Sequence, residues 1–177
     1  MPRLSKAAAQ ERKARIVALA EKRFVQNGYE QTTVDEIVKE IGLAKGTYYY
    51  HFASKEDLMI AVSEKLILET STKLNAVYTQ KDKDIVWRIR NVLKTYQDDF
   101  YRNKGIWRQV YHWRNAMLYH RVAHISAQRF TPILEDLLAE ASREGKVEIP
   151  HPHEAAESLL VHADVAGEFL PTIGRAL

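Results

Sequence analysis

The sequence contains no cysteine, which excludes disulfides and thiolate chemistry. Glycine and proline are scarce, with seven and five among 177 residues, and several glycines stand where a helix is expected to end. No apolar run approaches the roughly 20 residues of a membrane span, and the N-terminus lacks the apolar segment of a signal peptide. These absences predict a helical protein of the cytoplasm with no membrane partner.

Sequence motifs of the common enzyme classes are also missing. The chain has no HExxH, GxSxG, Walker or Rossmann pattern, and no nucleophile–base pair can be identified. We therefore expect no enzymatic activity and no cofactor.

Positive charge is concentrated at one end of the chain. Residues 1–55 carry ten Lys and Arg against six Asp and Glu, a net charge of +4, whereas the whole chain has +3. A basic patch of this size is compatible with a polyanionic partner or with an ordinary solvated surface.

Apolar residues recur at helical spacing throughout, which predicts an all-α fold. Thr33 with Glu36 forms a capping-box pattern, and Gly42 stands at the expected end of that short helix. The expected helices cover about 8–27, 34–41, 45–51, 55–79, 84–102 and 106–119, a segment reaching 144 that is bent or interrupted near Pro132, and 153–170.

The segment LAKGTYYYHFASKEDL, residues 43–58, places three consecutive tyrosines on a short helix beside lysines. At 100° per residue, Tyr48 shares the inner side with Ala44 and Phe52, and the other two tyrosines are displayed. Gly46 inside a helix costs about 1 kcal/mol relative to Ala, which suits a backbone that approaches another surface closely. The pattern therefore predicts a helix-turn-helix whose third helix faces double-stranded DNA.

Residues 32–58, TTVDEIVKEIGLAKGTYYYHFASKEDL, resemble the TetR family of helix-turn-helix transcriptional regulators. The resemblance implies an N-terminal helix-turn-helix DNA-binding domain, residues 1–54, and a helical effector-binding and dimerisation domain, residues 55–177. It further implies a homodimer that represses from an inverted-repeat operator and is released by a small-molecule effector. The implied DNA-binding residues are Thr33, Lys45, Gly46, Thr47, Tyr49, Tyr50, His51 and Lys55.

Further DNA contacts are possible from the basic start of the chain, including Arg3, Arg12 and Lys13, although a solvated arm explains these residues equally well. Lys55 lies in the first turn of a helix, where its charge opposes the helix dipole, so the sequence favours a phosphate partner for it.

The second half of the chain is rich in aromatic residues, which either line an apolar pocket or form a plain core. Asp99 lies at the border of an apolar stripe and is expected to be solvated, with a cationic ligand as the alternative. The candidate ligand-binding residues are Trp87, Tyr96, Phe100, Trp107, Tyr111 and Trp113.

Two alternatives to a ligand-released repressor stay open. One is a regulator of the same fold without a small-molecule ligand, controlled by a protein or constitutive. The other is a histidine-based metal-binding protein, because His120 and His124 are an i, i+4 pair. A single pair without a third ligand is a weak signal, and no metal site is predicted.

The implied dimer interface differs from the usual family arrangement of two long C-terminal helices. The helix from His153 is followed only by PTIGRAL, so we expect the second dimer helix to be short or absent. The small-residue positions Ala155, Ala156, Ala163 and Ala166 would allow close packing of this helix against another.

Overall fold

A computed structural model describes residues 6–112 and 116–165, with side chains described to residue 160. Within these ranges the secondary structure consists of eight helices and no strand. The helices are α1 (Lys6–Asn27), α2 (Val34–Ile41), α3 (Lys45–His51), α4 (Lys55–Tyr78), α5 (Ile85–Arg102), α6 (Lys104–Val110), α7 (Ala116–Arg143) and α8 (Pro152–Val165). The all-α prediction is confirmed.

The ends of α2 follow the predicted capping residues. The Thr33 hydroxyl accepts a hydrogen bond from the Glu36 backbone N–H, and the Glu36 side chain accepts one from the Thr33 backbone N–H. Gly42 closes the helix with a φ of 72°, in the left-handed region that glycine enters without strain. The Leu43 N–H then donates to the Val38 carbonyl, which completes a Schellman-type end. The turn between α2 and α3 is thus fixed from both sides.

The prediction of one helix over 106–119 is wrong. Helix α6 ends at Val110, and the rings of Tyr111 and Tyr119 lie 5.3 Å apart. A continuous helix would separate these residues by about 12 Å along its axis, at 1.5 Å per residue. The two residues therefore do not lie on one helix, although neither Tyr111 nor His112, which follow the end of α6, is a glycine or proline.

Helix α7 continues through Pro132 instead of being interrupted there. Proline removes one backbone hydrogen bond, to the carbonyl four residues earlier. Pro132 and Gln128 both lie on the exposed side of α7, where water can satisfy the freed carbonyl.

The described residues form two packing units. Unit 1 comprises 6–65, 105–112 and 116–122, and unit 2 comprises 66–104 and 123–165. The core of unit 1 is formed by Ile16, Ala20, Phe24, Ile37, Tyr48, Phe52, Leu58, Met59, Val62, Ile106, Trp107, Val110, Leu118 and Val122. The functional boundary after Ser54 stays a prediction, since these units are defined by packing alone.

Unit 2 has a separate core in which α5 contacts α8. Its buried residues include Leu66, Ile67, Leu74, Ile85, Ile89, Val92, Tyr96, Phe130, Leu134, Leu137, Leu138, Ala141, Ala156 and Leu160. Arg88 is also buried and pairs with Glu140, which is the ionic partner that a guanidinium removed from water requires.

Candidate nucleic-acid interface

Tyr48 anchors α3 to the rest of unit 1. Its side chain is fully buried, its hydroxyl donates to the Ser54 carbonyl at 2.9 Å, and its ring centroid lies 5.6 Å from that of Phe52. Burial raises the pKa of Tyr48 well above its usual value, so the hydroxyl remains a donor at every physiological pH. The prediction that one tyrosine of the three is core is confirmed.

The opposite side of α3 is open to solvent. Tyr49 is 50% exposed and Tyr50 is 78% exposed, and Lys45 and Gly46 lie on the same surface. Thr47 and His51 are half-buried at its borders. Ala44 was expected on the inner side and is exposed, because it is the N-cap and precedes the first helical turn. We call the surface formed by residues 45–47 and 49–51 the α3 face; its contact with DNA stays a prediction.

No contact among the described residues explains the glycine at position 46. A Cβ built on Gly46 has no heavy atom within 4 Å, and the residue has ordinary helical backbone angles. Alanine would therefore fit the free protein and would favour the helix by about 1 kcal/mol. The missing side chain is consistent with another molecule approaching the α3 backbone here.

Lys45 is paired within the chain. Its ammonium lies 2.6 Å from a carboxylate oxygen of Asp35, at the start of α2. The hydrogen bond and the charge of Asp35 raise the pKa of Lys45. Sequence reasoning did not single out Asp35, because only the turn geometry brings residues ten positions apart together.

The Thr33 side chain is engaged in the capping box. Its hydroxyl lies 3.0 Å from a Glu36 carboxylate oxygen, and these hydrogen bonds, the backbone one foremost, lower the pKa of Glu36. The start of α2 therefore already carries a carboxylate, where the sequence predicted a phosphate contact from Thr33. That contact stays a prediction.

Lys55 has an internal role that its position in the first turn of α4 did not indicate. Its ammonium donates to the carbonyls of Tyr29, Glu30 and Thr32 at 2.8, 3.3 and 3.1 Å, and it lies 4.4 Å from the Tyr29 ring centroid. These acceptors offset the unfavourable helix dipole. Lys55 thus binds the turn that precedes α2, and its phosphate contact stays a prediction.

The turn before α2 is held from a second side by Gln109 of α6. The Gln109 side-chain oxygen accepts a hydrogen bond from the Tyr29 backbone N–H, and its amide donates to the Phe24 carbonyl at 2.8 Å. The Tyr29 ring packs edge-on against Phe24, at 5.3 Å between centroids. Burial, with nearby Glu56 and Glu30, raises the pKa of Tyr29 to about 12. Nothing in the linear spacing indicated Gln109, which lies 80 residues beyond Tyr29.

Helix α1 adds positive charge beside the α3 face. The Lys13 ammonium lies 5.7 Å from the Phe52 ring centroid. Burial, followed by the charges of Lys13 and Arg12, lowers the pKa of His51. The same positive potential that disfavours protonation of His51 would attract phosphate. Arg3, the other arm residue named above, lies outside the described residues.

The six candidate ligand-binding aromatics do not share one unit. Trp107 and Tyr111 belong to unit 1, whereas Trp87, Tyr96 and Phe100 belong to unit 2. Trp107 and Tyr96 are buried, with Tyr96 edge-on to Phe130 at 5.3 Å between centroids. Trp113 lies outside the described residues. The ligand role of this set stays a prediction.

Asp99 is buried, so the expectation of a solvated carboxylate is wrong. Its oxygens accept hydrogen bonds from Lys73 at 2.5 Å and Thr70 at 2.7 Å, and Arg102 lies 3.0 Å away. Burial alone would raise the pKa of Asp99, but these partners outweigh it and lower the pKa. The carboxylate is already occupied by protein cations, which leaves the cationic-ligand alternative without support.

Among the residues with described side chains, none joins His120 and His124 as a third metal ligand. His120 contacts the Tyr119 ring, and the His124 imidazole lies 3.0 Å from the Gln128 amide. Across the part of the chain that the structure describes, no group of three or more His, Asp or Glu side chains is arranged to hold a metal ion. In that same part, no helix is long and apolar enough to cross a membrane.

The sequence of unit 1 matches known regulators. Residues 16–62 match the model of the bacterial regulatory proteins of the tetR family. The chain is 44% identical over 50 residues to the transcriptional regulator QacR of Staphylococcus aureus, covering 28% of this chain and 27% of that protein. It is 36% identical over 67 residues to the regulator YerO of Bacillus subtilis, covering 38% and 23%. The matched segment thus spans about a quarter of these relatives' own length.

Solved structures extend the likeness to most of the chain. A TetR-family regulator from Pectobacterium atrosepticum superposes with a TM-score of 0.76 at 23% identity, covering 96% of this chain and 89% of that one. A TetR/AcrR-family regulator from Thermobifida fusca gives 0.68 at 26% identity, covering 87% and 82%. Together with the match over residues 16–62, these likenesses confirm the resemblance of the chain to the TetR family of transcriptional regulators and show that it shares their fold.

Proposed function

We propose that the protein is a cytoplasmic DNA-binding transcriptional regulator that inserts α3 into the major groove. The observation that carries this proposal is the division of the tyrosine run: Tyr48 holds the helix from inside while Tyr49 and Tyr50 stand outside beside Lys45. Aromatic side chains exposed in a row are costly unless a partner covers them. Phenol hydroxyls donate to phosphate oxygens, and lysine suits the guanine acceptors O6 and N7.

The proposed contacts follow from the placement of each residue. Tyr49 binds phosphate, and Lys45 reaches base edges. Gly46, Thr47, Tyr50 and His51 border the approach to bases and backbone. Thr33 and Lys55 contribute by positioning α2, because Thr33 caps this helix and Lys55 binds the turn that precedes it.

The functional unit in this proposal is a homodimer on an inverted repeat. One α3 of seven residues is only about 10 Å long and reads few base pairs, so a second copy is needed for a specific site. Twofold symmetry of the protein then requires an inverted repeat in the DNA. Residues 1–54 form the DNA-binding domain and residues 55–177 the effector-binding and dimerisation domain.

The proposed response is release from DNA by a small, largely apolar or aromatic effector. The support is the density of aromatic residues in the second half of the chain, with Tyr96 and Phe130 in contact inside unit 2. Such side chains line most small-molecule sites. A ligand acts by stabilising an arrangement in which the two α3 helices no longer match the groove spacing.

The test is selection of duplexes from a random pool by the protein, followed by quantitative gel shifts on the selected sequence. We expect a palindromic consensus and an affinity that falls roughly 10³-fold or more between 50 and 200 mM salt, as six or more phosphate contacts release counterions. Tyr49→Phe lowers the affinity for all sequences, whereas Lys45→Ala lowers discrimination between sequences. Enrichment of no palindrome at moderate salt contradicts the proposal.

Effector release is tested separately with tryptophan fluorescence and hydrophobic probe compounds. A compound that quenches fluorescence should also dissociate the selected DNA. Binding of DNA without a response to any such compound favours the regulator without a small-molecule ligand.

A further inference from the structure

The ion pair between Lys45 and Asp35 joins the first turns of the two helices that define the DNA-reading unit. The ammonium and carboxylate lie 2.6 Å apart, and the side chains are 55% and 69% exposed. The pair is therefore accessible, so DNA can reach either partner without unfolding the helices.

Asp35 is available for this contact because its neighbour already caps the helix. The Thr33 hydroxyl accepts a hydrogen bond from the Glu36 backbone N–H, and the Glu36 carboxylate accepts one from the Thr33 backbone N–H, which completes the capping box at the start of α2. Asp35 precedes Glu36 in the first turn of α2, where the helix dipole favours a negative charge, and its side chain takes no part in the capping box. Its carboxylate is left to face Lys45.

Lys45 lies at a position where a positive charge destabilises its own helix. It lies in the first turn of α3, whose N-cap Ala44 provides no side-chain hydrogen bond. Positive charge at a helix start is unfavourable. The helix itself therefore does not explain the lysine. In the free protein its ammonium binds the carboxylate of Asp35.

We propose that Asp35 is a specificity-determining residue. Its ion pair with Lys45 persists on non-specific DNA, so that Lys45 binds no phosphate there, and breaks when Lys45 binds the correct base. This inference rests on the proposed function. On arbitrary DNA, a phosphate oxygen offers Lys45 little more than the carboxylate it already has, so the ion pair persists. At a guanine, the two acceptors N7 and O6 lie together on one base edge, and the ammonium leaves Asp35 for them.

The consequence is a difference in counterion release. A lysine that stays with Asp35 neutralises no phosphate and releases no counterion. Asp35→Asn frees the ammonium for phosphates on any sequence. The variant should therefore bind non-specific DNA more tightly, with little change on the selected sequence.

The experiment measures wild type, Asp35→Asn, Lys45→Met and the double variant on the selected duplex and on a scrambled duplex of equal length. We expect Asp35→Asn to raise affinity for scrambled DNA about fivefold, the upper range for an exposed ion pair. The slope of log affinity against log salt on that DNA should steepen by about 0.9. The ratio of selected to scrambled affinity falls correspondingly.

The double variant separates this role from simple repulsion of DNA by a carboxylate. If Asp35 acts through Lys45, then Asp35→Asn has no effect on the affinity ratio or the salt slope in the Lys45→Met background. Glu30→Gln removes an exposed carboxylate from the preceding turn and is the control for charge alone.

Equal effects of Asp35→Asn with and without Lys45, or an effect of Glu30→Gln of the same size, overturn the inference while leaving DNA recognition intact. Failure of the wild type to select any sequence is a different outcome, which removes the proposed function itself.

Discussion

Gly46 is a residue of the α3 face whose missing side chain is not explained by packing within the described residues. The free protein has room for a side chain there, since no described atom outside the adjacent residues and the backbone of α3 lies within 4 Å of the Cβ position. The residue also lacks the positive φ that would require glycine. Tyr50 on the same face is 78% exposed, and Tyr49 is 50% exposed although its ring packs edge-on against Tyr48. Residues that weaken the fold locally commonly mark functional surfaces.

Gly46→Ala should therefore change stability and DNA binding in opposite directions. We expect the free energy of unfolding to rise by about 1 kcal/mol, because alanine favours the helix. Affinity for the selected DNA should fall roughly 5- to 150-fold, because a methyl group forced into a closely packed surface costs about 1–3 kcal/mol. Urea denaturation and gel shifts on one preparation measure both quantities.

The increased stability of Gly46→Ala is its own control, since a loss of binding cannot then come from unfolding. Affinity equal to that of the wild type would mean that no surface approaches the α3 backbone at this residue.

At the scale of elements, α2 is positioned by helices that are distant in the sequence. Lys55 of α4 binds three carbonyls of the preceding turn, and Gln109 of α6 binds the backbone of that turn and of the α1 end. Gly105, at the start of α6, lies against Val25 of α1, since a Cβ added to this glycine would stand 3.7 Å from the valine side chain. The orientation of the helix-turn-helix within unit 1 thus depends on both α4 and α6.

Lys55→Met distinguishes a positioning role from a direct phosphate contact. We expect a loss of about 1–2 kcal/mol in the free energy of unfolding, since hydrogen bonds from a charged group are among the stronger ones. DNA affinity should fall, because α2 is less well positioned. The slope of log affinity against log salt should stay at the wild-type value, because the substitution removes no contact between a protein cation and a phosphate.

Lys39→Met removes an exposed lysine of α2 and is the control for charge alone. A Lys55→Met protein of wild-type stability whose salt slope is shallower by about 0.9 would instead establish the phosphate contact that the sequence predicts.

The elements with local signals could be predicted from the sequence, and those decided by distant contacts could not. The capping box of Thr33 with Glu36 and the left-handed Gly42 specify α2 within ten residues, and α3 has its predicted bounds. The end of α6 has no such signal, since the turn after Val110 contains neither glycine nor proline in its described part. The burial of Asp99 depends on Thr70 and Lys73 of another helix, 29 and 26 residues away.

At the scale of the whole molecule, the excess of positive charge is confined to one part of the chain. The first 55 residues hold a net charge of +4, although the total is only +3. This local excess supports association but carries little sequence information, because phosphates are the same everywhere. In the proposed function, discrimination must come from base edges, and one α3 of seven residues reaches too few of them. A mismatched base pair costs about 1–3 kcal/mol, so doubling the number of base pairs read roughly doubles the discriminating free energy.

Changing the spacing of the half-sites tests whether two copies read DNA as one rigid body. A homodimer requires its half-sites about one turn, 34–36 Å, apart. Insertion of five base pairs between them moves one half-site to the opposite side of the duplex, and insertion of ten restores the side but adds a full turn of distance. We expect both insertions to reduce affinity in gel shifts to that of a single half-site, with one dimer per site by sedimentation. If either inserted duplex binds as tightly as the selected one, the two α3 helices act independently, and twofold symmetry is not the source of specificity.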